Sequence, residues 1–141
     1  MLNGEIGLAK ILIVEDNALN IKLFCDLLAA HGHDAQAVTD SRVALDSARE
    51  FGPDLVITDI QLPHLSGLEL IRMLRDDGEL KSVPIMAVTA YAGAGDEERI
   101  RSAGAQAYVS KPISVAKFVA QVDELLGPEL KGREQPKAGA T

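Results

Sequence analysis

Short apolar runs that alternate with helical patterns constrain this chain more than any other feature. Five such runs occur, at residues 11–14, 35–38, 55–58, 85–88 and 107–109. The first, third and fourth runs are apolar at nearly every position, which is typical of strands buried on both faces. Five strand–helix units in succession predict an α/β fold, in which a doubly wound five-stranded parallel sheet is flanked by five helices.

The predicted helices fill the gaps between the runs, and they cover residues 17–31, 41–51, 67–76, 96–103 and 114–126. Ser41 is expected to cap the second of them, because a serine hydroxyl accepts well from the first free amides of a helix. Residues 9–127 are predicted to form one domain. Residues 128–141 are rich in Gly, Pro and charge and predict a disordered tail with no output domain, while residues 1–8 predict a loose arm.

Charge and composition exclude several classes of partner. The 141 residues carry 14 Lys and Arg against 21 Asp and Glu, a net charge of −7, and only 4% are aromatic. These values argue against nucleic acid as a partner.

No apolar run approaches the roughly 20 residues that a membrane span needs, so membrane insertion is not expected. The single cysteine, Cys25, cannot form an internal disulfide, and the predicted location is the cytoplasm.

Polar residues that can carry chemistry follow the predicted strands. Glu15 and Asp16 follow the first, Asp59 the third, Thr89 the fourth and Lys111 the fifth. The carboxyl ends of parallel strands meet at one edge of a sheet, where ligands bind in this architecture. Each acid taken alone is most often a helix cap or a solvated loop residue, but their joint placement favours a site.

A cluster of three carboxylates requires cations to balance its charge. Lys111 supplies one positive charge, and Mg²⁺ would supply two more through oxygen ligands. Asp59 is then a plausible nucleophile, because carboxylates accept phosphoryl groups. Thr89, Lys111 and the metal would balance charge on the transferring phosphoryl oxygens.

Four separated motifs resemble the receiver domain of two-component response regulators over about residues 9–127. The motifs are Ile13–Asn17, Thr58–Pro63 with Gly67, Val88–Ala90, and Lys111–Pro112. The resemblance implies strand order 2-1-3-4-5 and makes Asp59 the phospho-acceptor. It also implies that Asp16, the Asp59 side chain and the main-chain carbonyl of Gln61 bind Mg²⁺, with Glu15 acting through water.

The same resemblance implies how the signal leaves the site. Thr89 would hydrogen-bond the phosphoryl group, Lys111 would pair with it through a loop that contains a cis Lys111–Pro112 bond, and Tyr108 would rotate inward as a switch. Gln61 stands where Met is frequent, and its side chain is expected to alter the hydrolysis of the phosphorylated aspartate.

The implied partners are a histidine kinase or histidine phosphotransferase and a downstream protein target. In such proteins the first helix docks the kinase bundle, which here assigns docking to Asn20, Leu23 and Leu27; the alternative is that the two leucines only broaden the core. The strongest likeness is to single-domain members that act in cell-cycle control. A monomer or weak dimer is expected.

Three other functions compete with this interpretation. An aspartyl-phosphate phosphatase of the haloacid dehalogenase type needs an acid two residues after its nucleophile, but Gln61 follows Asp59 and Ala18 follows Asp16 at that spacing. A flavodoxin-like flavin carrier would meet repulsion between its phosphate and Glu15–Asn17. The third alternative, a phosphorelay shuttle that passes phosphoryl groups onward, stays open. The favoured prediction is a switch rather than an enzyme, with Mg²⁺-dependent self-phosphorylation and self-dephosphorylation.

Overall fold

The computed structural model describes residues 9–90 and 93–139, and it confirms the predicted parallel sheet. The strand order is β2-β1-β3-β4-β5, as the resemblance implies. The strands are β1 Lys10–Val14, β2 Asp34–Val38, β3 Leu55–Asp59, β4 Ile85–Thr89 and β5 Ala107–Ser110. The sequence therefore predicts each strand to within one residue at either end.

Five helices connect and cover these strands. They are α1 Ala18–Ala30, α2 Ala44–Phe51, α3 Gly67–Asp76, α4 Ala94–Ala103 and α5 Val115–Gly139. The predicted bounds of α3 are confirmed, whereas α4 begins two residues before the predicted start. A capping box explains the sharp start of α3, because Ser66 and Glu69 each accept from the other's backbone amide.

Ser41 does not cap a helix as predicted. Asp40 caps a short 3₁₀ helix, Ser41–Val43, by accepting from the Arg42 amide. The Ser41 hydroxyl is buried and has one proton to donate; the Leu65 carbonyl oxygen lies 2.7 Å from it, and the Pro63 carbonyl oxygen 3.2 Å. It therefore fixes the loop that follows β3, and this loop belongs to the candidate site.

Two hydrophobic clusters lie on opposite faces of the sheet. One face packs against α1 and α5, where the rings of Phe24 and Phe118 stack with centroids 5.1 Å apart. The other face packs against α2, α3 and α4, through residues that include Leu70, Ile71 and Ile100. Because both faces are covered, polar chemistry is expected at the ends of the strands, and in this architecture ligands bind at the carboxyl ends.

Neither end of the chain lies wholly within the described residues. Residues 1–8, which the sequence predicts to be a loose arm, lie outside the described residues. The helical backbone breaks at Gly127, where φ is 74° and ψ is 170°, and then continues to Gly139. The disordered tail without an output domain over residues 128–141 stays a prediction, and residues 140–141 lie outside the described part.

Within residues 9–90 and 93–139, no helix combines the length and the apolar character that crossing a bilayer demands.

Candidate functional site

Three carboxylates meet at the carboxyl edge of the sheet, as the sequence predicts. Glu15 and Asp16 leave the end of β1, and Asp59 is the last residue of β3. One carboxylate oxygen from each of the three lies within 4.8 Å of the other two. Glu15 is 1% exposed and Asp59 is 4% exposed, while Asp16 faces solvent. The cluster could therefore hold a metal ion at the boundary between the core and water.

Glu15 is oriented by the start of α1. Its Oε2 atom accepts from the Asn17 amide at 3.1 Å and from the side-chain Nδ2 of Asn20 at 3.4 Å. Its Oε1 atom is buried with no hydrogen bond within the described residues. Burial, and then the charge of Asp59, raise the pKa of the Glu15 carboxyl. A cation at this site would offset both effects.

Lys111 provides the cationic side of the pocket. Its Nζ atom lies 2.8 Å from Asp59 Oδ2 and 3.7 Å from Glu15 Oε1. Burial alone would lower the pKa of this ammonium, but the hydrogen bond and charge of Asp59, followed by the charge of Glu15, raise it. The Lys111–Pro112 bond is cis, as predicted, and the Lys111 amide donates to the Thr89 carbonyl at 2.8 Å.

Gln61 connects the ends of β3 and β4 in a way that the sequence does not reveal. Its amide donates to Asp59 Oδ1 at 3.0 Å. Its side-chain Nε2 donates to Thr89 Oγ1 at 3.3 Å, and its Oε1 accepts from the Ala90 amide at 3.2 Å. Thr89 itself is buried at the end of β4, where the sequence places it.

Gly67 allows the chain to pass close to Asp59. It is buried at the start of α3, and its amide donates to the Ile60 carbonyl at 3.0 Å. A β-carbon at this position would overlap the Asp59 carbonyl oxygen and lie 2.7 Å from the Ile60 Cα. Only glycine fits here without a shift of the backbone that carries Asp59.

Tyr108 is half-buried on β5, and its hydroxyl points toward α4. The hydroxyl donates to Glu97 Oε1 at 3.3 Å, while Glu97 Oε2 receives the Arg101 Nε at 2.9 Å. The Tyr108 ring packs against the cluster that contains Ile100. The side chain is therefore held by α4 in this structure, next to the strand that carries Thr89.

The predicted docking stripe on α1 is only partly exposed. Leu23 is 36% exposed, but Asn20 binds Glu15, and Leu27 packs partly buried against the cluster beneath α1 and α5. Leu27 thus contributes to the packing of that cluster, and kinase docking by Asn20, Leu23 and Leu27 stays a prediction. Leu19 is 80% exposed, although the sequence analysis does not include it in the docking stripe. Its spacing of four residues from Leu23 places both on one face of the helix.

The arrangement suits the transfer of a phosphoryl group. A carboxylate at the end of a strand is flanked by an ammonium, a buried hydroxyl and two further carboxylates that could hold a metal. Comparison with known proteins agrees with this chemistry. Residues 11–123 match the family described as response regulator receiver domain, and the chain belongs to that family.

Two relatives within this family are similar to the chain over most of its length. The polar-differentiation response regulator DivK of Brucella anthropi is 53% identical over 118 residues, which cover 84% of this chain and 96% of that protein. The DivK of Brucella ovis gives the same values.

Among solved structures, the chain is similar to the receiver domain of the sensor histidine kinase PA1611 from Pseudomonas aeruginosa, in which a magnesium ion is coordinated in the active site cleft. The two share 32% identity with a TM-score of 0.78, over 85% of this chain and 98% of that one. The BeF₃-activated receiver domain of RstA from Klebsiella pneumoniae shares 28% identity with a TM-score of 0.78, over 83% of this chain and 97% of that one.

Proposed function

We propose that this chain is a phosphorylation switch in which Asp59 accepts a phosphoryl group from a histidine kinase or histidine phosphotransferase. One observation carries the proposal: the Asp59 carboxylate lies 2.8 Å from the Lys111 ammonium and shares its pocket with Glu15 and Asp16. The output is contact with a downstream protein. The similarity to DivK supports a role in polar differentiation and cell-cycle control. We place the protein in the cytoplasm, as a monomer or weak dimer.

The transfer step exchanges one bond to phosphorus for another. An oxygen of Asp59 forms a bond to phosphorus, the bond from phosphorus to the donor histidine nitrogen breaks, and that imidazole recovers its lone pair. Lys111 stabilises the negative charge on the phosphoryl oxygens, and Thr89 hydrogen-bonds one of them. Hydrolysis by water later returns Asp59 and phosphate, so the chain also removes its own modification.

Mg²⁺ is the metal that the donor set fits. All the candidate ligands are oxygens, which Mg²⁺ prefers, and the buried Glu15 Oε1 makes no hydrogen bond within the described residues, with the Lys111 ammonium 3.7 Å away. Asp16, Asp59 and the Gln61 carbonyl would hold the ion, and Glu15 would act through water. When bound, the ion supplies charge neutralisation for the phosphoryl oxygens.

Asp16→Asn should weaken Mg²⁺ binding by about tenfold or more, and clearly more than Glu15→Gln does. Both changes remove one negative charge, so their long-range electrostatic effects are similar. The difference arises because Asp16 faces solvent and would touch the ion, whereas Glu15 is buried and hydrogen-bonded to Asn17. Titration of Mg²⁺ into both variants measures this difference, and equal losses would contradict the assignment.

Thr89→Ala should separate phosphorylation from its structural consequence. The variant retains Asp59 and Lys111 and should still be phosphorylated, but it lacks the hydroxyl that couples the phosphoryl group to β4. Addition of Mg²⁺ and beryllofluoride should then shift the amide resonances around Tyr108 far less than in the wild type. Thr39→Ala, an exposed change beyond β2, is the matched control. A full wild-type shift in Thr89→Ala is the result that contradicts this coupling.

Kinase and target should use different surfaces. The exposed leucines of α1, Leu19 and Leu23, lie on the helix whose Asn20 side chain contacts the acidic pocket, so a kinase bound there would reach Asp59. The target should bind near α4 and β5, where Tyr108 contacts Glu97.

The most direct test of the switch is beryllofluoride, a mimic of a phosphoryl group on a carboxylate. Wild-type protein with Mg²⁺ should bind it in one site and change the amide spectrum around Asp59. Chelation of the metal should abolish binding. Binding that persists in excess chelator, or none at all with Mg²⁺ present, contradicts the proposed function.

A further inference from the structure

The Gln61 side chain engages two groups at the end of β4. Its Nε2 donates to the Thr89 hydroxyl at 3.3 Å, and its Oε1 accepts from the Ala90 amide at 3.2 Å. The backbone of the same residue is fixed to the acceptor carboxylate, because the Gln61 amide donates to Asp59 Oδ1 at 3.0 Å. One residue thus bridges the phosphorylation site and the adjacent strand.

A phosphoryl group on Asp59 would compete with this bridge. It brings three strong acceptor oxygens beside the end of β4. The Thr89 hydroxyl offers one proton, and the Ala90 amide offers another, which is already directed at the Gln61 carboxamide oxygen. Any movement of Thr89 toward the phosphoryl group would break its hydrogen bond from Gln61 Nε2, so this bond opposes the movement.

We infer that Gln61 is a positioning residue whose carboxamide holds Thr89 and Ala90 in the unphosphorylated arrangement and must be displaced when Asp59 is phosphorylated. Gln61 therefore lowers the apparent affinity of the protein for a phosphoryl mimic such as beryllofluoride, because stabilising the inactive state reduces the population of the state that binds it. This inference rests on the proposed function and adds a restraint that is specific to this side chain.

The position of the Gln61 carboxamide is set by its hydrogen bonds to Thr89 and Ala90. Gln61 is exposed, so its side chain is not placed by burial in the core. It nevertheless contacts Thr89, the last residue of β4, and Ala90, the residue after it, which are 28 and 29 positions away in sequence. Removing one methylene shortens the reach of the carboxamide from the loop after β3 toward both partners.

Three variants test the inference. Gln61→Met keeps the length and removes the hydrogen bonds, and Gln61→Asn keeps the carboxamide and shortens its reach. Gln36→Met makes the same chemical change at an exposed position on the edge strand β2 and serves as the control. Binding of beryllofluoride in the presence of Mg²⁺ is titrated for each, and hydrogen exchange of the Ala90 amide is measured in the metal-free protein.

Both Gln61 variants should bind beryllofluoride about three- to tenfold more tightly than the wild type, the range expected for one or two exposed hydrogen bonds. Their Ala90 amide should exchange faster, whereas Gln36→Met should match the wild type in both measurements. Wild-type affinity or weaker binding in Gln61→Met overturns the inference, and so does wild-type behaviour of Gln61→Asn. Failure of the wild type to bind beryllofluoride would instead overturn the proposed function itself.

Discussion

Gly67→Ala is expected to destabilise the protein by about 3 kcal/mol, near the upper end of the range for overpacking a buried position. The added methyl group would overlap the Asp59 carbonyl oxygen and lie 2.7 Å from the Ile60 Cα. Both obstacles are backbone atoms, so no flexible side chain can move aside. The structure can accommodate the methyl only by separating α3 from the end of β3, which also displaces Asp59.

Gly78→Ala is the matched control for this prediction. A β-carbon at Gly78 would meet nothing within 4 Å, and its backbone does not adopt the left-handed conformation that favours glycine. This variant should be as stable as the wild type or more stable by up to about 1 kcal/mol, because alanine restricts the unfolded chain. Urea unfolding of the three proteins measures the differences. Equal stability of Gly67→Ala and the wild type would show that α3 does not approach β3 this closely.

Asp59→Asn is expected to eliminate phosphorylation altogether. An amide lacks the charged oxygen that attacks phosphorus, and no other described carboxylate combines a buried position with direct contact to Lys111 at 2.8 Å. The loss should not reflect unfolding, since asparagine has nearly the same shape and its one carbonyl oxygen can still accept from the Gln61 amide, although the hydrogen bond from the Lys111 ammonium to the second oxygen is lost.

The sheet and the acidic pocket were predictable from the sequence for physical reasons. Strands β1, β3 and β4 are buried on both faces, so their apolar runs are uninterrupted and stand out. Parallel strands place their carboxyl ends at one edge, which brings Glu15, Asp16 and Asp59 together without knowledge of any side-chain conformation.

The features that escaped prediction depend on side-chain conformation and on packing between distant segments. The Gln61 carboxamide reaches Thr89 across 28 residues, and Ser41 reaches Leu65 across 24; neither contact leaves a periodic pattern in the sequence. Leu27 has the spacing of an exposed stripe on α1, but it packs with the hydrophobic cluster shared with α5. Helical periodicity gives the face of a helix and not the extent to which a neighbouring helix covers it.

Transfer of one phosphoryl group to Asp59 tests the central claim most directly. Wild type, Asp59→Asn and Asp46→Asn, which alters a carboxylate that is 84% exposed on α2, are incubated with acetyl phosphate and Mg²⁺ and weighed by intact-mass spectrometry. The wild type and Asp46→Asn should each gain the mass of one phosphoryl group, and Asp59→Asn should gain none. The wild type in excess chelator should also gain none. Phosphate on Asp59→Asn, or equal labelling of the wild type with and without chelator, would contradict the account.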